Sequence, residues 1–210
     1  MSYLKWASEH AARTAGMSAR ERYLPLAAEA ASLCGPDPRA LKMDAFNEAN
    51  GRKPISGLYP RATLIEIDEA TAERARARCP WLTVVTGDVR ALPFDDGAFD
   101  LALDFSTLDH LPSRHEVLRA LTEYRRVLSP GGVALVISWA TTTAFEIGGR
   151  SGYGGTQAFW PLQWLRDEMA ARFELLDCRI ITPTNLDRST LALGGGPATA
   201  EIAAFTGRRS

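Results

Sequence analysis

The sequence is poor in the residues that build disulfide frameworks and metal sites. Its three cysteines, Cys34, Cys79 and Cys178, are far apart and form no CxxC pair, and only three histidines occur in 210 residues. An odd number of widely spaced cysteines is typical of a reduced protein with inert buried thiols. We therefore expect a cytoplasmic protein without a metal site.

Long hydrophobic runs and an excess of one charge are also missing. No apolar stretch approaches the roughly 20 residues of a membrane helix. The first residues, MSYLKWASEHAART, lack the apolar core of a signal peptide. The net charge is -1, so no overall field attracts nucleic acid or an anionic membrane. We expect neither as a partner, while the oligomeric state is left open.

What the sequence does contain is an alternation of strand and helix patterns. About 46% of the residues are apolar and 23% are charged, as in an ordinary globular protein. The patterns follow one another as strands at 62–68, 82–88, 99–105 and 133–139 and helices at 69–79 and 114–128. Such alternation predicts an α/β fold with a parallel sheet and helices on both faces.

The two ends of the chain depart from this alternation. The sequence pattern of residues 1–36 predicts helices that form an N-terminal cap. Residues 141–160, rich in glycine and threonine, predict a long loop that acts as a lid. After a helix at 161–173, strand patterns at 174–182 and 198–208 predict a closing antiparallel hairpin. Because no internal repeat occurs, we expect one domain over residues 1–210.

Three stretches in the middle of the chain carry a resemblance to a known family. They are TLIEIDEA, VVTGDVRALPFDDGAFDLALDFSTLDHLP and RALTEYRRVLSPGGVALVISW, in that order. Together they resemble the class I S-adenosylmethionine-dependent methyltransferases, in particular the branch that acts on small molecules. The resemblance implies a Rossmann-like fold with a mostly parallel seven-stranded sheet, S-adenosylmethionine as cofactor, and methyl transfer to a small-molecule acceptor.

The resemblance assigns cofactor roles to acids at the strand ends, where open α/β sheets bind ligands. Asp68 is expected to accept both ribose hydroxyls, although Asp is also favoured as a helix N-cap. Glu66 lies on the opposite face of the strand and is a weaker candidate. Asp88 is expected to accept from the adenine amino group, with the N–H of Val89 beside the ring. The alternative for Asp88 is a structural role in the turn after Gly87.

The segment DFSTLDHL follows the next strand and, in the resembled family, faces the methyl group that is transferred. Asp104 is expected to contact the cofactor there. His110 is a candidate general base, because histidine ordinarily titrates near neutral pH, and Asp109 is a second candidate catalytic residue. The alternative for His110 is a structural hydrogen bond at the start of a helix.

The loop after the first strand has almost none of the glycine that the family uses there. The family pattern is acid-x-Gly-x-Gly-x-Gly, and the glycines allow close approach of the cofactor's methionine end. Here Asp44 is followed by Phe46, Glu48 and Asn50 at the glycine positions. Because the acid is retained and asparagine tolerates left-handed backbone, we expect a working cofactor loop. Asp44 would lie near the methionine amino group, and Phe46 and Asn47 would border the sulfonium.

Two other functions stay open. The altered loop is compatible with a methyltransferase-like domain that performs no methyl transfer, and that serves for binding or for another reaction in the same pocket. A nicotinamide-dependent oxidoreductase is disfavoured, since no GxGxxG motif follows any strand.

Overall fold

An eight-stranded, mostly parallel sheet forms the centre of the computed structural model, which describes residues 23–51, 61–142, 147–150, 156–181 and 200–210. The strands are β1 (Ala40–Lys42), β2 (Thr63–Glu66), β3 (Thr83–Thr86), β4 (Phe99–Phe105), β5 (Leu128–Thr141), β8 (Trp160–Pro161), β9 (Glu174–Ile181) and β10 (Ala200–Arg208). Two further strands, β6 (Ile147–Arg150) and β7 (Thr156–Ala158), form a separate two-stranded sheet.

The main sheet has the strand order β3-β2-β1-β4-β5-β10-β9, and β8 lies beside β5. Strands β1 to β5 pair in parallel, whereas β10 runs antiparallel to both β5 and β9. The predicted, mostly parallel sheet and its antiparallel C-terminal hairpin are therefore confirmed, and the two-residue strand β8 adds an eighth strand to the expected seven. The order in which the strands are added to the sheet reverses between β1 and β4. Open α/β sheets bind ligands at such a reversal point.

Helices cover both faces of the sheet. They are α1 (Tyr23–Ser32), α2 (Phe46–Ala49), α3 (Glu69–Arg78), a 3₁₀ helix (Leu108–His110), α4 (Arg114–Val127) and α5 (Leu162–Arg172). One buried cluster joins the sheet to α4 and α5, and a second joins it to α1 and α3. Neighbouring residues of one strand enter opposite clusters, as Leu64 and Ile65 do, because side chains alternate across a sheet.

No helix within these described ranges has the length and apolar character needed to cross a membrane. Of the predicted N-terminal cap, α1 is described and residues 1–22 lie outside the described part of the chain. That residues 1–36 form a cap is therefore still a prediction.

The predicted long loop at 141–160 is partly regular structure. Strand β6 pairs with β7 in antiparallel fashion, with Ile147 opposite Ala158. Strand β7 also packs against the 3₁₀ helix. Residues 143–146 and 151–155 lie outside the described part, and a lid function of the whole segment stays a prediction.

Strand β5 begins at Leu128, five residues before the predicted strand start at 133. Leu128 pairs with Phe99, and the next pair joins Val133 to Leu101, so the intervening SPGG residues bulge out of the ladder. Gly131 adopts a φ of 81°. A Cβ on Gly132 would lie 2.9 Å from the carbonyl oxygen of Ser129 and 3.1 Å from that of Asp100. Glycine at 132 therefore allows β4 and β5 to meet closely.

Replacing Gly132 by alanine should lower the free energy of unfolding by about 2–3 kcal/mol, because the new methyl group meets two backbone oxygens that cannot move independently. Urea unfolding followed by circular dichroism measures the loss. Gly35→Ala is the comparison: Gly35 has a positive φ but open space around it, so its cost should be only about 1 kcal/mol. Equal losses in the two variants would contradict the steric explanation.

Candidate functional site

The carboxyl ends of β1, β2, β3 and β4 lie at one edge of the sheet, because these four strands are parallel. The predicted site residues follow those ends, except Asp104, which is the second-last residue of β4. Two direct bonds show that the loops meet: Glu66 accepts from the N–H of Ala45, and Thr107 Oγ1 donates to the carbonyl oxygen of Met43. This edge is the candidate site.

A buried lysine at the end of β1 organises the first loop. Nζ of Lys42 donates to the carbonyl oxygen of Asp44 at 2.7 Å, to Asp44 Oδ1 at 2.8 Å and to Glu48 Oε2 at 3.2 Å. These bonds use all three ammonium protons. The side chains of Lys42 and Glu48 are fully buried, whereas that of Asp44 is 22% exposed. Burial opposes the charge on Lys42, but Asp44 and Glu48 outweigh that effect and raise its pKa.

Lys42 was not among the predicted site residues, although its sequence context carries a signal for a buried ion pair. It is a lysine within an apolar strand, with acids two and six positions further along the chain. A lysine buried without an anion would be very costly, so a strand lysine with acids nearby in sequence is a candidate for a buried ion pair.

The glycine-poor segment after β1 folds as one helical turn, α2, instead of an open loop. Its four side chains, Phe46 to Ala49, are buried. The N–H of Phe46 donates to Asp44 Oδ1 at 2.9 Å. The expected left-handed asparagine is absent at position 50, where φ is -103°; Gly51, with φ 75°, makes the turn.

Glu66 connects this loop to the end of β2. Its Oε2 accepts from the N–H of Ala45 and its Oε1 from the N–H of Asp68, both at 3.1 Å. The residue is 6% exposed, and burial raises the pKa of its carboxyl group despite these donors. Glu66 was the weaker candidate because it lies on the face of β2 opposite to Asp68, but its two hydrogen bonds position both loops.

Asp68 serves as the N-cap of α3, the alternative role that its residue type suggested. Its Oδ2 accepts from the N–H of Thr71 at 2.8 Å and from Thr71 Oγ1 at 2.6 Å. Within the described residues its Oδ1 has no hydrogen bond, so capping leaves one carboxylate oxygen for a ligand. The neighbouring Ile67, which was not among the predicted site residues, is 67% exposed and presents a large apolar side chain at the same edge.

Asp88 is held by an arginine two residues further on. Asp88 Oδ1 accepts from the N–H of Arg90 at 2.8 Å and from its Nε at 2.9 Å. Arg90 also donates to Glu116 on α4 at 2.7 Å. Bonding to Arg90 keeps the pKa of Asp88 below its usual value. The Asp88 side chain is still 31% exposed, and the adjacent Val89 packs into the core.

Asp104 lies beneath the loop after β4 and is 1% exposed. Its Oδ1 accepts from the N–H of Thr107 at 2.7 Å, and its Oδ2 accepts from the hydroxyl of Tyr124 at 2.8 Å. Burial raises the pKa of Asp104 to about 7. Ser106, which lies between Asp104 and Thr107 in the chain, has a φ of 68°. This backbone conformation is unfavourable and is of the kind found at functional sites. Asp104 therefore positions the loop from below.

The two candidate catalytic residues point in different directions. His110 is exposed at the end of the 3₁₀ helix. Asp109 is 1% exposed, and its Oδ1 accepts from Ser138 Oγ at 3.2 Å. The helix itself is fixed by Trp160, whose Nε1 donates to the carbonyl oxygen of Leu108 at 3.0 Å. An acceptor molecule can reach His110 at the surface, whereas Asp109 is inside.

The structure thus brings all the predicted site residues to one edge but at two depths. Their functional roles are still predictions. Partly or fully exposed are Asp44, Asp68, Asp88 and His110, and buried are Phe46, Asn47, Val89, Asp104 and Asp109.

Comparison with known proteins agrees with the fold. Residues 48–136 match a family model described as "Methyltransferase domain". EEF1A lysine methyltransferase 4 from Mus musculus is 31% identical over 115 residues, which cover 48% of this chain and 45% of that protein. The match covers between 17% and 45% of the length of eight curated relatives.

Two solved structures share the architecture. The Burkholderia thailandensis 1,6-didemethyltoxoflavin-N1-methyltransferase, with bound 1,6-didemethyltoxoflavin and S-adenosylhomocysteine, has a TM-score of 0.69 and 17% identity, over 97% of this chain and 84% of that one. The [4+2]-cyclase SpnF has a TM-score of 0.67 and 23% identity, over 90% and 80% of the two chains. At such identities these likenesses concern the fold.

The buried Asp104 should make stability depend on pH. Its pKa of about 7 in the folded protein exceeds the roughly 3.9 of a free side chain, so the folded state binds the proton more tightly. Ionising Asp104 then costs stability as the pH rises from about 4 through 7. The Asp104→Asn variant cannot ionise, and its free energy of unfolding relative to the wild type should increase by about 2–3 kcal/mol between pH 5 and 8.

Urea unfolding of both proteins at several pH values measures that difference. Asp167→Asn, at an exposed position on α5, is the matched control and should show a difference that does not change with pH. A constant difference for Asp104→Asn as well would mean that Asp104 is ionised throughout this range.

Proposed function

We propose that this chain transfers a methyl group from S-adenosylmethionine to a small-molecule acceptor. Residues 48–136 match the methyltransferase-domain family model, and the fold is that of the class I S-adenosylmethionine-dependent methyltransferases. The observation that carries the proposal is the set of acids at the ends of β1, β2 and β3, beside the reversal point of the strand order. This is where the fold places a nucleoside ligand.

The adenosine end of the cofactor fits the described residues well. Asp68 keeps one carboxylate oxygen for the ribose hydroxyls while its other oxygen caps α3. Asp88 is kept ionised and in place by Arg90, so it can accept from the adenine amino group. Ile67 offers an exposed apolar surface beside them, suited to the base. Polar and apolar contacts of this kind are what a nucleoside requires.

The loop after β4 supports the acceptor side of the proposal. S-adenosylmethionine supplies a methyl group bonded to a positively charged sulfur, and its transfer depends mainly on alignment with the nucleophile and on exclusion of water. Asp104, Trp160 and Thr107 hold this loop in place through the bonds described above. His110, exposed on the same loop, would take a proton from an acceptor that carries one.

The proposal of a small-molecule acceptor rests on the sequence resemblance and on the 1,6-didemethyltoxoflavin-N1-methyltransferase neighbour, whose bound 1,6-didemethyltoxoflavin is a small molecule. A protein acceptor is the alternative, since one relative is named as a lysine methyltransferase of EEF1A. The cytoplasmic localisation and the absence of nucleic-acid and membrane partners are still predictions.

A second candidate function is another reaction in the same pocket. Two observations favour it: the first loop lacks the glycines of the family, and one neighbour of this fold is a [4+2]-cyclase. Incubation with S-adenosylmethionine labelled in its methyl group separates the two functions. Label that appears in a small molecule of a cell extract supports methyl transfer, whereas tight cofactor binding without transfer to any small molecule or protein favours the second function.

Substituting Asp68 by asparagine should weaken the binding of S-adenosylhomocysteine about tenfold. Asparagine keeps the N-cap of α3 but removes the charge that strengthens bonds from the ribose hydroxyls. Isothermal titration calorimetry measures the change. Asp167→Asn is the matched control and should bind as the wild type does. An unchanged affinity in a folded Asp68→Asn protein would limit Asp68 to its capping role.

A further inference from the structure

Asp88 and Arg90 belong to a tight turn in which the arginine folds back onto the carboxylate. The N–H of Ala91 donates to the carbonyl oxygen of Asp88 at 3.0 Å, which makes Arg90 the third residue of a four-residue turn. The N–H and Nε of Arg90 donate to Asp88 Oδ1 at 2.8 and 2.9 Å, and Nη2 donates to Oδ2. Because the planar guanidinium binds both oxygens, the carboxylate is held in one orientation.

The other end of the Arg90 guanidinium is anchored on a helix. Its Nη1 donates to Glu116 Oε2 at 2.7 Å. Glu116 lies in the first turn of α4, where its N–H donates to the hydroxyl of the N-cap Ser113. The side chains of Arg90 and Glu116 are 27% and 16% exposed. Arg90 therefore connects Asp88 to α4, so that the helix and the turn together set the orientation of the carboxylate.

This arrangement leaves Asp88 little unused bonding capacity. Each carboxylate oxygen has two lone pairs, and Oδ1 receives two protons from Arg90. Oδ2 receives one proton from Nη2. Nε also lies 3.0 Å from Oδ2, but its single proton is assigned to Oδ1 by the shorter distance. Among the described residues, one lone pair of Oδ2 is left as an acceptor, on a side chain that is 31% exposed.

We propose that Arg90, anchored by Glu116, is a positioning residue that makes Asp88 selective for a base with an amino group. Adenine donates a proton from its amino group to the remaining lone pair of Oδ2. Hypoxanthine carries a carbonyl oxygen at the same place, and a fixed carboxylate then faces a second acceptor instead of a donor. This inference rests on the proposed function, because it takes Asp88 as the adenine contact.

A carboxylate that is able to turn discriminates less between the two bases. Hypoxanthine has a proton on N1, next to its carbonyl group, and a mobile carboxylate can turn to accept from that N–H. The bonds from Arg90 to both oxygens oppose such a rotation. Arg90→Lys keeps the positive charge but provides no planar, two-pronged donor. This substitution therefore separates the effect of a fixed orientation from the effect of charge.

Calorimetry with two ligands tests the inference: S-adenosylhomocysteine and S-inosylhomocysteine, in which a carbonyl oxygen replaces the amino group of the base. We expect the wild type to bind the adenosyl ligand about 100-fold more tightly, as the loss of a hydrogen bond to a charged group implies. A ratio below tenfold overturns the inference, while the proposed function survives if S-adenosylhomocysteine itself binds. If neither ligand binds at millimolar concentration, the proposed function fails too.

Two matched variants locate the source of the selectivity. Arg119 also lies beside Glu116, with Nη1 3.4 Å from Oε2, but it makes no hydrogen bond to Asp88. In Arg90→Lys the ratio between the two affinities should fall at least fivefold, whereas Arg119→Lys should keep the wild-type ratio. A general loosening of the site would weaken both ligands alike and leave the ratio unchanged.

Circular dichroism and urea unfolding confirm that each variant is folded. An unchanged ratio in folded Arg90→Lys, or an equal fall in Arg119→Lys, overturns the assignment to Arg90.

Discussion

The buried ion cluster of Lys42, Asp44 and Glu48 is the interaction on which the candidate site depends. A buried charge is tolerated only when it is paired and fully hydrogen bonded, and Lys42 has a partner for each of its three protons. Removing one member of such a cluster typically costs about 3–5 kcal/mol, because another charge is left uncompensated. The cluster therefore holds α2 against the end of β1 and gives the first loop a fixed shape without the three glycines of the family pattern.

A few side-chain hydrogen bonds connect the first loop to the ends of β2 and β4. Glu66 joins the end of β2 to Ala45 in the first loop, and Thr107 joins the loop after β4 to Met43. Asp104 and Tyr124 support Thr107 from inside the core. The parts proposed to hold the adenosine, the sulfonium and the acceptor thus form one connected network. We therefore expect a substitution in the first loop to alter the position of the loop that carries His110 as well.

Much of the fold could be predicted from the sequence because its signals are local. The helix at 69–79 was predicted from its composition and is observed at Glu69–Arg78, and the strand predicted at 99–105 is observed with those bounds. The acids at the strand ends follow directly from these boundaries. Even the two roles considered for Asp68 need not compete, because one carboxylate oxygen makes the cap and the other is left for a ligand.

Side-chain depth was decided by tertiary structure. The sequence by itself determined the alternation of strands and helices, the C-terminal hairpin and the positions of Asp44, Asp68 and Asp88, since hydrophobic periodicity and residue type suffice for these. It did not determine that Asp104 is buried, because its partner Tyr124 is 20 residues away on another element.

Glu66 and Lys42 show the same division. Glu66 reaches an N–H that is 21 residues distant in the chain, and Lys42 owes its buried partner to the folded position of Glu48 on α2. Charge state and donor occupancy depend on the local dielectric and on the geometry of neighbouring elements. Those two properties exist only once the sheet has assembled, and they decide which charges this site presents to a ligand.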